Sequence, residues 1–459
     1  MKRIIILILV LTGCSDLIAQ NQPNIIYIIV DDQGWGDIGY NDKGLYTPVL
    51  DRLAEQNTRL DYHYVHPQCT PTRVALLTGR YPQRFGTQAT FAGSNDQAIP
   101  YGTPTIASLL KTQGYETALI GKWHLGSVPS QGPNHWGFDY SYGCLAGGCG
   151  NYDHLYKFAP NNPYSHTWHR NEELIADSES GDYLEEGKHT TDLITKDAIS
   201  FITKKHKNAF FLYLAYTAPH TPLDEEEKWF HDPDGKIMKI QHSGRRLFAA
   251  VLHHLDNSIG QVMSALEASG NSNNTIVVYS SDNGGIDRRI ENTNGMLEKG
   301  YSSNGKLRSG KTHVYEGGIR VPAWIRWPGN LKKGIVKTPM HIADWLPTLC
   351  KIAGVKDLPD NLDGQNVMPM LQGESMKERN FYWAWGKEYP QPRQSIRQGE
   401  WKLVQDQNSI DWELYHVIDD SQEKKDLAKE HPEKVQNLLK VLENEMEKDL
   451  KGRMPSIED

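Results

Sequence analysis

Cys69 and Arg73 lie one helical turn apart in His66-Pro67-Gln68-Cys69-Thr70-Pro71-Thr72-Arg73-Val74-Ala75-Leu76-Leu77-Thr78-Gly79-Arg80, a loop that becomes a helix. Pro71 suits a first helical turn, where its missing N–H has no intrahelical partner anyway. Gly79 can end the helix. Cys69 thus stands at a helix N-terminus, where unpaired N–H groups and the helix dipole favour an anion. Arg73 can point back at the same place. A thiol, a helix start and a cation make a site for a tetrahedral oxyanion. On its own the stretch is equally what a buried cysteine in a capping turn would show.

Other reactive residues fall at the ends of apolar runs. Asn24-Ile25-Ile26-Tyr27-Ile28-Ile29-Val30 ends in Asp31-Asp32, and two adjacent carboxylates past a buried strand are costly unless solvated or holding a cation. A second oxygen-rich end, Ser281-Asp282-Asn283-Gly284-Gly285, follows the run 275–280. Lys122 and His124 follow a short strand at 115–120, and His220 sits between two prolines after a strand at 210–216. Lys311 lies in Arg308-Ser309-Gly310-Lys311-Thr312. Each has an ordinary alternative: a solvated turn, a surface lysine, a packed histidine. Their shared position favours function, because α/β sheets place ligands at the carboxyl ends of their strands.

The elements that must carry these residues alternate. Helices are expected at 48–56, 103–113, 190–204 and 247–269, between continuous apolar strands of the kind buried on both faces. This predicts an α/β fold, a mostly parallel mixed sheet covered by helices. From 132 to 187 the chain is rich in Gly, Asn, Tyr, His and Trp with little periodicity, and reads as one long functional loop. Within it Trp136, Asn151, Asp153 and His154 are the candidate sugar-facing residues. Strands at 380–385, 394–404 and 413–417 and a helix at 432–446 predict a small C-terminal α+β unit with an antiparallel sheet. The expected divisions are a leader at 1–13, a linker at 14–23, a catalytic domain at 24–374 and the C-terminal unit at 375–459.

With 459 residues, 38% hydrophobic and 23% charged, the chain can bury a large core. Its net charge of −8 argues against nucleic acid as a partner, and an anionic substrate would need a local cationic pocket. Lys2 and Arg3 precede an apolar run, 4–11, too short to span a bilayer. Leu11-Thr12-Gly13-Cys14 then resembles a bacterial lipobox, with Cys14 as the lipidated first residue; cleavage near Ala19 has a poor small-x-small pattern. This predicts export to the periplasm or cell surface on a lipid anchor. Cys69, Cys144, Cys149 and Cys350 are too few for a disulfide scaffold, and Cys144 with Cys149 reads equally as a short-loop disulfide or as two free thiols.

Together these pieces resemble the type I sulfatase family. Cys69-Thr70-Pro71-Thr72-Arg73 matches its C-x-P-x-R signature, completed by Leu77-Thr78-Gly79-Arg80. The match continues in order through Val30 to Gly36, Gly121 to Gly126, Ala218-Pro219-His220, Ser281 to Gly284, and Gly310-Lys311 to Gly318. Gly137 to Gly143, Asp282 to Gly285 and Asp344 to Leu349 look most like the arylsulfatase B branch and its bacterial polysaccharide-sulfatase relatives. The chain departs from them in the 144–154 loop, where specificity is expected to reside.

The resemblance implies an alkaline-phosphatase-like α/β/α sandwich. It also implies that a maturation enzyme oxidises Cys69 to formylglycine, an aldehyde that hydrates to a geminal diol. A plain alcohol nucleophile would be left as a stable sulfate ester. A diol can be sulfated through one hydroxyl and use the other to expel sulfate. Calcium is implied on Asp31, Asp32, Asp282 and Asn283, an oxygen set that suits a hard cation. Arg73, Lys122 and Lys311 would hold sulfate or diol oxygens, His124 would serve the diol, and His220 would protonate the leaving alcohol. The expected reaction is hydrolysis of sulfate esters on sugars of a sulfated polysaccharide. A phosphate or phosphonate ester hydrolase of the same fold and an inactive polysaccharide-binding homologue are the alternatives.

Overall fold

The computed structural model describes residues 22–87, 98–155, 166–175, 187–286, 301–385, 393–406 and 411–451. The leader and Cys14 lie outside the described residues. No helix among those described is long and apolar enough to cross a membrane.

The chain opens with strand β1 (Asn24–Val30), helix α1 (Pro48–Gln56), β2 (Thr58–Leu60), β3 (His63–Tyr64) and α2 (Cys69–Thr78). Next come α3 (Ile106–Lys111), β4 (Glu116–Lys122), β5 (Tyr140–Cys144), β6 (Trp168–Arg170) and β7 (Glu173–Leu174). After α4 (Thr190–Thr203), β8 (Phe210–Ala215), α5 (Ser243–Ala268) and β9 (Thr275–Ser281) follow the short α6 (Glu316–Ile319) and β10 (Ala323–Arg326). The catalytic half ends with β11 (Gly334–Val336), β12 (Met340–His341), α7 (Trp345–Ile352) and α8 (Met368–Leu371). Strands β13 (Asn380–Trp385), β14 (Arg393–Gln398), β15 (Trp401–Gln405) and β16 (Glu413–His416) precede the last helix, α9 (Pro432–Met446).

Ten strands form one sheet in the order β11-β2-β10-β9-β1-β8-β4-β5-β6-β7. β1 lies at its centre, parallel to both β8 and β9. Its alternate side chains go to opposite faces: Ile25, Tyr27 and Ile29 pack with residues of α2, α3 and α7, while Ile26, Ile28 and Val30 pack with α4 and α5. All six are 0% exposed, and burying each apolar side chain contributes roughly 1.5–3 kcal/mol, which explains why β1 reads as an unbroken apolar run. The mostly parallel α/β/α sandwich of the sequence reading is the observed fold, with a four-stranded antiparallel sheet, β13-β14-β15-β16, beyond it.

Three expectations change. The stretch 132–187 is not one loop: β5 continues the sheet parallel to β4, and β6 and β7 add an antiparallel edge. Tyr-Ser-Tyr-Gly-Cys and two shorter strands are too brief and too poor in β-branched residues to show a period. The expected strand at 394–404 is a hairpin, β14 and β15, turned at Gly399 with φ 58°. The helix expected at 103–113 starts later, because Thr105 caps it through reciprocal bonds with Ser108.

The C-terminal sheet is covered on both faces. Leu438 and Leu442 of α9 pack with Ile396, Leu403 and Leu414. Its other face, with Phe381, Trp383, Val404 and Tyr415, meets Val314, Tyr315 and Ile319.

Candidate active site

The carboxyl ends of β1, β9, β8 and β4 converge, and backbone bonds lock the turns that follow them. Asp282 N donates to Val30 O at 2.9 Å and Asp31 N to Ala218 O at 3.1 Å. Glycine permits the closest approaches: a Cβ at Gly121 (φ 115°) would sit 1.8 Å from Ala215 O, and one at Gly284 would sit 1.8 Å from Gly317 O. Asp32, His124 and Thr312 hold left-handed φ values of 69°, 60° and 74°. Such conformations cost non-glycine residues on the order of 1–3 kcal/mol each and collect where function requires a fixed presentation.

Three buried carboxylates face three cations. Lys122 Nζ lies 2.5 Å from Asp31 Oδ2, with both side chains 0% exposed. Arg73 grips one oxygen of Asp282 from Nη2 (2.9 Å) and Nε (3.2 Å), and its Nη1 donates to Lys122 O at 2.7 Å. Lys311 Nζ reaches both oxygens of Asp32, at 2.6 and 2.8 Å. Asn283 Nδ2 donates to Asp32 Oδ1 at 2.7 Å, and Asp32 N donates to Asp282 Oδ1 at 3.2 Å. The pairs cancel in charge, so the set by itself offers an entering anion little net attraction.

The buried oxygens that remain fit a divalent cation. Asp31 Oδ1 and Asn283 Oδ1 are buried without a protein hydrogen-bond partner. Ligand atoms of Asp31, Cys69 and Asp282 lie within 4.8 Å of one another, as do those of Asp31, Asp32 and His220. Burial, then repulsion from Asp31, pushes the Asp282 carboxyl up to about 7, against the pull of Arg73. For Asp32 burial acts upward too, but Lys311 and His220 outweigh it and hold the carboxyl below its usual range. Three carboxylates and an amide oxygen are a hard-cation donor set, and a +2 ion would give the centre the positive charge it otherwise lacks.

Cys69 is the first residue of α2 and 2% exposed. The Gln68 side chain does not cap the helix; its Oε1 accepts from Trp385 Nε1 at 2.6 Å. Burial raises the Cys69 thiol pKa, with Lys122 and Lys311 pulling the other way. Thr70 Oγ1 donates to His124 O at 3.1 Å and ties the helix start to the turn after β4. His124 is 1% exposed, and neither ring nitrogen has a protein partner. Burial, then Lys122 and Arg73, drives its pKa well below the usual value, so it is neutral. His220 Nε2 is 3.6 Å from Asp32 Oδ2. Burial lowers its pKa to about 3, with Asp32 opposing and Lys311 and Lys122 assisting.

The structure therefore brings all ten residues expected for catalysis and metal binding to one place. The four candidate sugar-facing residues behave differently. Trp136 is 2% exposed, its ring stacked on Tyr101 and tilted against Trp123 at 5.8 Å, so it belongs to the core. His154 is buried, stacked on Trp168, with Nε2 bonded to Lys188 O at 2.8 Å. Asp153 accepts from Leu155 N in a local turn. Asn151 donates to Pro222 O at 3.0 Å and accepts from Thr190 Oγ1 at 3.1 Å, joining its loop to the His220 segment. The 144–154 loop does border the site, because Gly148 packs against the His220 ring.

Two supports escaped the sequence reading. Asp192, Glu225 and His254 form a charge chain downstream of the His220 segment, with Glu225 and His254 buried and Asp192 at its exposed outer end. Glu316, Lys402 and Glu423 form another where the chain leaves the Lys311 turn for α6, with Lys402 Nζ 3.1 Å from Glu316 and 2.8 Å from Glu423. Their members come from separate elements at unpatterned spacings, so no local signal announces them.

A parallel sandwich with an acidic, cation-paired centre at its strand ends defines a hydrolase of anionic esters of the alkaline-phosphatase-like fold. The chain belongs to the sulfatase family, a class of sulfuric ester hydrolases: the family model "Sulfatase" matches residues 23–355, and "N-sulphoglucosamine sulphohydrolase, C-terminal" matches 309–451. It is 35% identical to arylsulfatase J of Mus musculus over 76% of this chain, and spans 55% of that protein's length. It is 29% identical to N-acetylgalactosamine-6-O-sulfatase of Bacteroides thetaiotaomicron, covering 95% of this chain and 97% of that one. The crystal structure of Ps i-CgsB in complex with k-i-k-neocarrahexaose superposes with a TM-score of 0.83 at 30% identity, over 95% of this chain and 96% of that chain.

Proposed function

We propose that this protein hydrolyses sulfate esters on sugars of a sulfated polysaccharide or its oligosaccharides, releasing inorganic sulfate. The observation that carries the reading is the convergence of Cys69, Arg73, Lys122 and Lys311 on the acidic strand ends of β1 and β9. The sulfated-sugar enzymes among the relatives support the substrate class.

Asp31, Asp32, Asp282 and Asn283 would hold calcium, which supplies Lewis-acid polarisation of a sulfate oxygen. Oxidation of Cys69 to formylglycine by a maturation enzyme would supply a hydrated aldehyde as nucleophile. Around it this chain's residues have distinct tasks. Arg73 and Lys122 hold the floor of the site, and their paired carboxylates fix them where charge develops on the equatorial oxygens. Lys311, paired with Asp32, adds a third cation near position 69. His124, neutral and without a protein partner, can accept a proton from a hydroxyl at position 69. His220 faces the leaving oxygen and donates to it. Burial, with Lys311 and Lys122, favours its neutral form, and negative charge arriving beside it favours its protonated form.

Export on a lipid anchor at Cys14 completes the proposal and would place the enzyme where polysaccharide is degraded. Three measurements test the reading. Sulfate release is followed on defined glycosaminoglycan, carrageenan and ulvan oligosaccharides. Rates on aryl sulfate and aryl phosphate are compared in parallel. The Cys69 peptide is weighed by mass spectrometry. Faster turnover of phosphate would overturn the activity, and a thiol at Cys69 in fully active protein would overturn the nucleophile.

A further inference from the structure

His220 is carried by the four residues Pro219 to Pro222, and the two flanks of that span are held differently. Upstream, the sheet fixes it: Tyr216 N donates to Ile29 O at 2.9 Å and Ala218 O accepts from Asp31 N. Downstream the chain runs into an acidic stretch, Asp224 to Glu227, in which Asp224, Glu226 and Glu227 are exposed. Glu225 turns inward, and its side chain is 0% exposed.

Its partner is His254 of α5, whose Nδ1 lies 2.9 and 3.1 Å from the two Glu225 oxygens. His254 Nε2 lies 3.1 Å from Asp192 Oδ1 of α4, and the ring stacks on Trp229 at 4.2 Å. Both nitrogens face carboxylate oxygens, an arrangement that favours the doubly protonated ring and raises its pKa against burial. His189 stands beside it, accepting from Thr191 N at Nδ1 and donating from Nε2 to Asp224 O at 3.2 Å.

Ligand atoms of His189, Glu225 and His254 lie within 4.8 Å of one another, which raises a metal as the other explanation. The hydrogen bonds oppose it. A His189 Nδ1 that accepts a backbone N–H leaves the ring proton on Nε2, the atom a metal would need bare.

We propose that the Glu225–His254–Asp192 chain positions His220, setting the downstream anchor of its segment against α4 and α5 so that the imidazole meets the leaving oxygen. Glu225, His254 and Asp192 are positioning residues; none touches the reacting atoms. The inference rests on His220 as proton donor to the leaving alcohol. A misplacement of about 1 Å at a proton donor can lower turnover by up to roughly a hundredfold.

The test uses leaving groups of different need. Phenyl sulfate requires protonation of its leaving oxygen far more than 4-nitrophenyl sulfate does. In the matured, calcium-loaded full-length protein, Glu225→Gln and His254→Gln are expected to lower kcat on phenyl sulfate roughly tenfold or more, with KM little changed. On 4-nitrophenyl sulfate kcat should change far less. Asp192→Asn, at the half-exposed outer end, should show the same split more weakly, and it carries the test should the buried variants not fold. Equal loss on both substrates, or no loss, overturns the inference. His220→Ala is the control: if it lacks the split, the role of His220 is wrong. If it shows the split and the other variants do not, only the positioning role fails.

Discussion

Arg73 and Asp282 meet where both side chains are 0% exposed, with Nη2 and Nε of the guanidinium on a single carboxylate oxygen. Through this pair and the bond from Nη1 to Lys122 O, helix α2 joins the ends of β9 and β4. Arg73→Ala would leave the Asp282 carboxylate buried without its cation, and breaking a buried pair in this way costs about 3–5 kcal/mol. The expected result is a lower unfolding midpoint together with loss of activity. Adding Asp282→Asn should restore part of the midpoint and none of the activity. A double variant no more stable than Arg73→Ala would show that the unpaired charge is not the cause.

Burial raises the Cys69 pKa, so unmodified protein presents a protonated thiol at neutral pH. Activity should rise in proportion to the fraction of Cys69 peptide converted to formylglycine across preparations matured to different extents. Cys69→Ala should be inactive and fold normally. Full activity in a preparation lacking the modification would contradict this.

Calcium binding and pH should be linked through Asp282. Its folded carboxyl, pushed up to about 7, lies above the ordinary unfolded value of about 3.9. In calcium-free protein its contribution to stability is therefore fully present below about pH 4 and is lost as pH rises through 7. Calcium competes with that same proton. The difference in melting temperature between calcium-saturated and chelator-treated protein should widen from pH 5 to pH 8, as differential scanning fluorimetry would show. A difference that narrows would mean that Asp282 is not a ligand.

Trp136 separates core from specificity. Its indole packs among Trp123, Tyr101 and their neighbours, so Trp136→Ala should cost about 3–5 kcal/mol of stability. KM for any sugar substrate should stay the same in the protein that remains folded. A selective rise in KM without destabilisation would return Trp136 to the substrate surface.

How much of this was legible beforehand follows from what burial does to sequence. β1, β8 and β9 are buried on both faces, so they read as unbroken apolar runs, and the charged residues that end them stand out. The short outer strands β2, β6, β7 and β11, two at each end of the sheet, have two or three residues each and leave no period to read. Trp136 and His154 show the limit for the site itself: in a glycine-rich stretch, an aromatic that fills the core looks the same as one that faces a sugar. Asp32 and Asp282 stand out as acids that end buried strands and Lys311 through motif order, whereas Glu225 and Lys402 needed the fold to bring their partners to them.

The packing of the C-terminal sheet sets a timetable. Trp385 of β13 takes the side chain of Gln68, next to Cys69. Asp406 accepts from Val314 N at 3.0 Å and from His313 Nδ1 at 2.9 Å, and Lys402 neutralises Glu316, so the segment that bears Lys311 is held from residues synthesised well after it. Once these contacts form, Cys69 is 2% exposed and beyond the reach of another enzyme. The oxidation proposed for Cys69 is then expected to precede closure, on nascent or unfolded chain. Folded Cys69 protein mixed with maturation enzyme should gain no formylglycine, whereas the same chain presented unfolded should. Conversion of the native protein would show that the cleft opens after synthesis is complete.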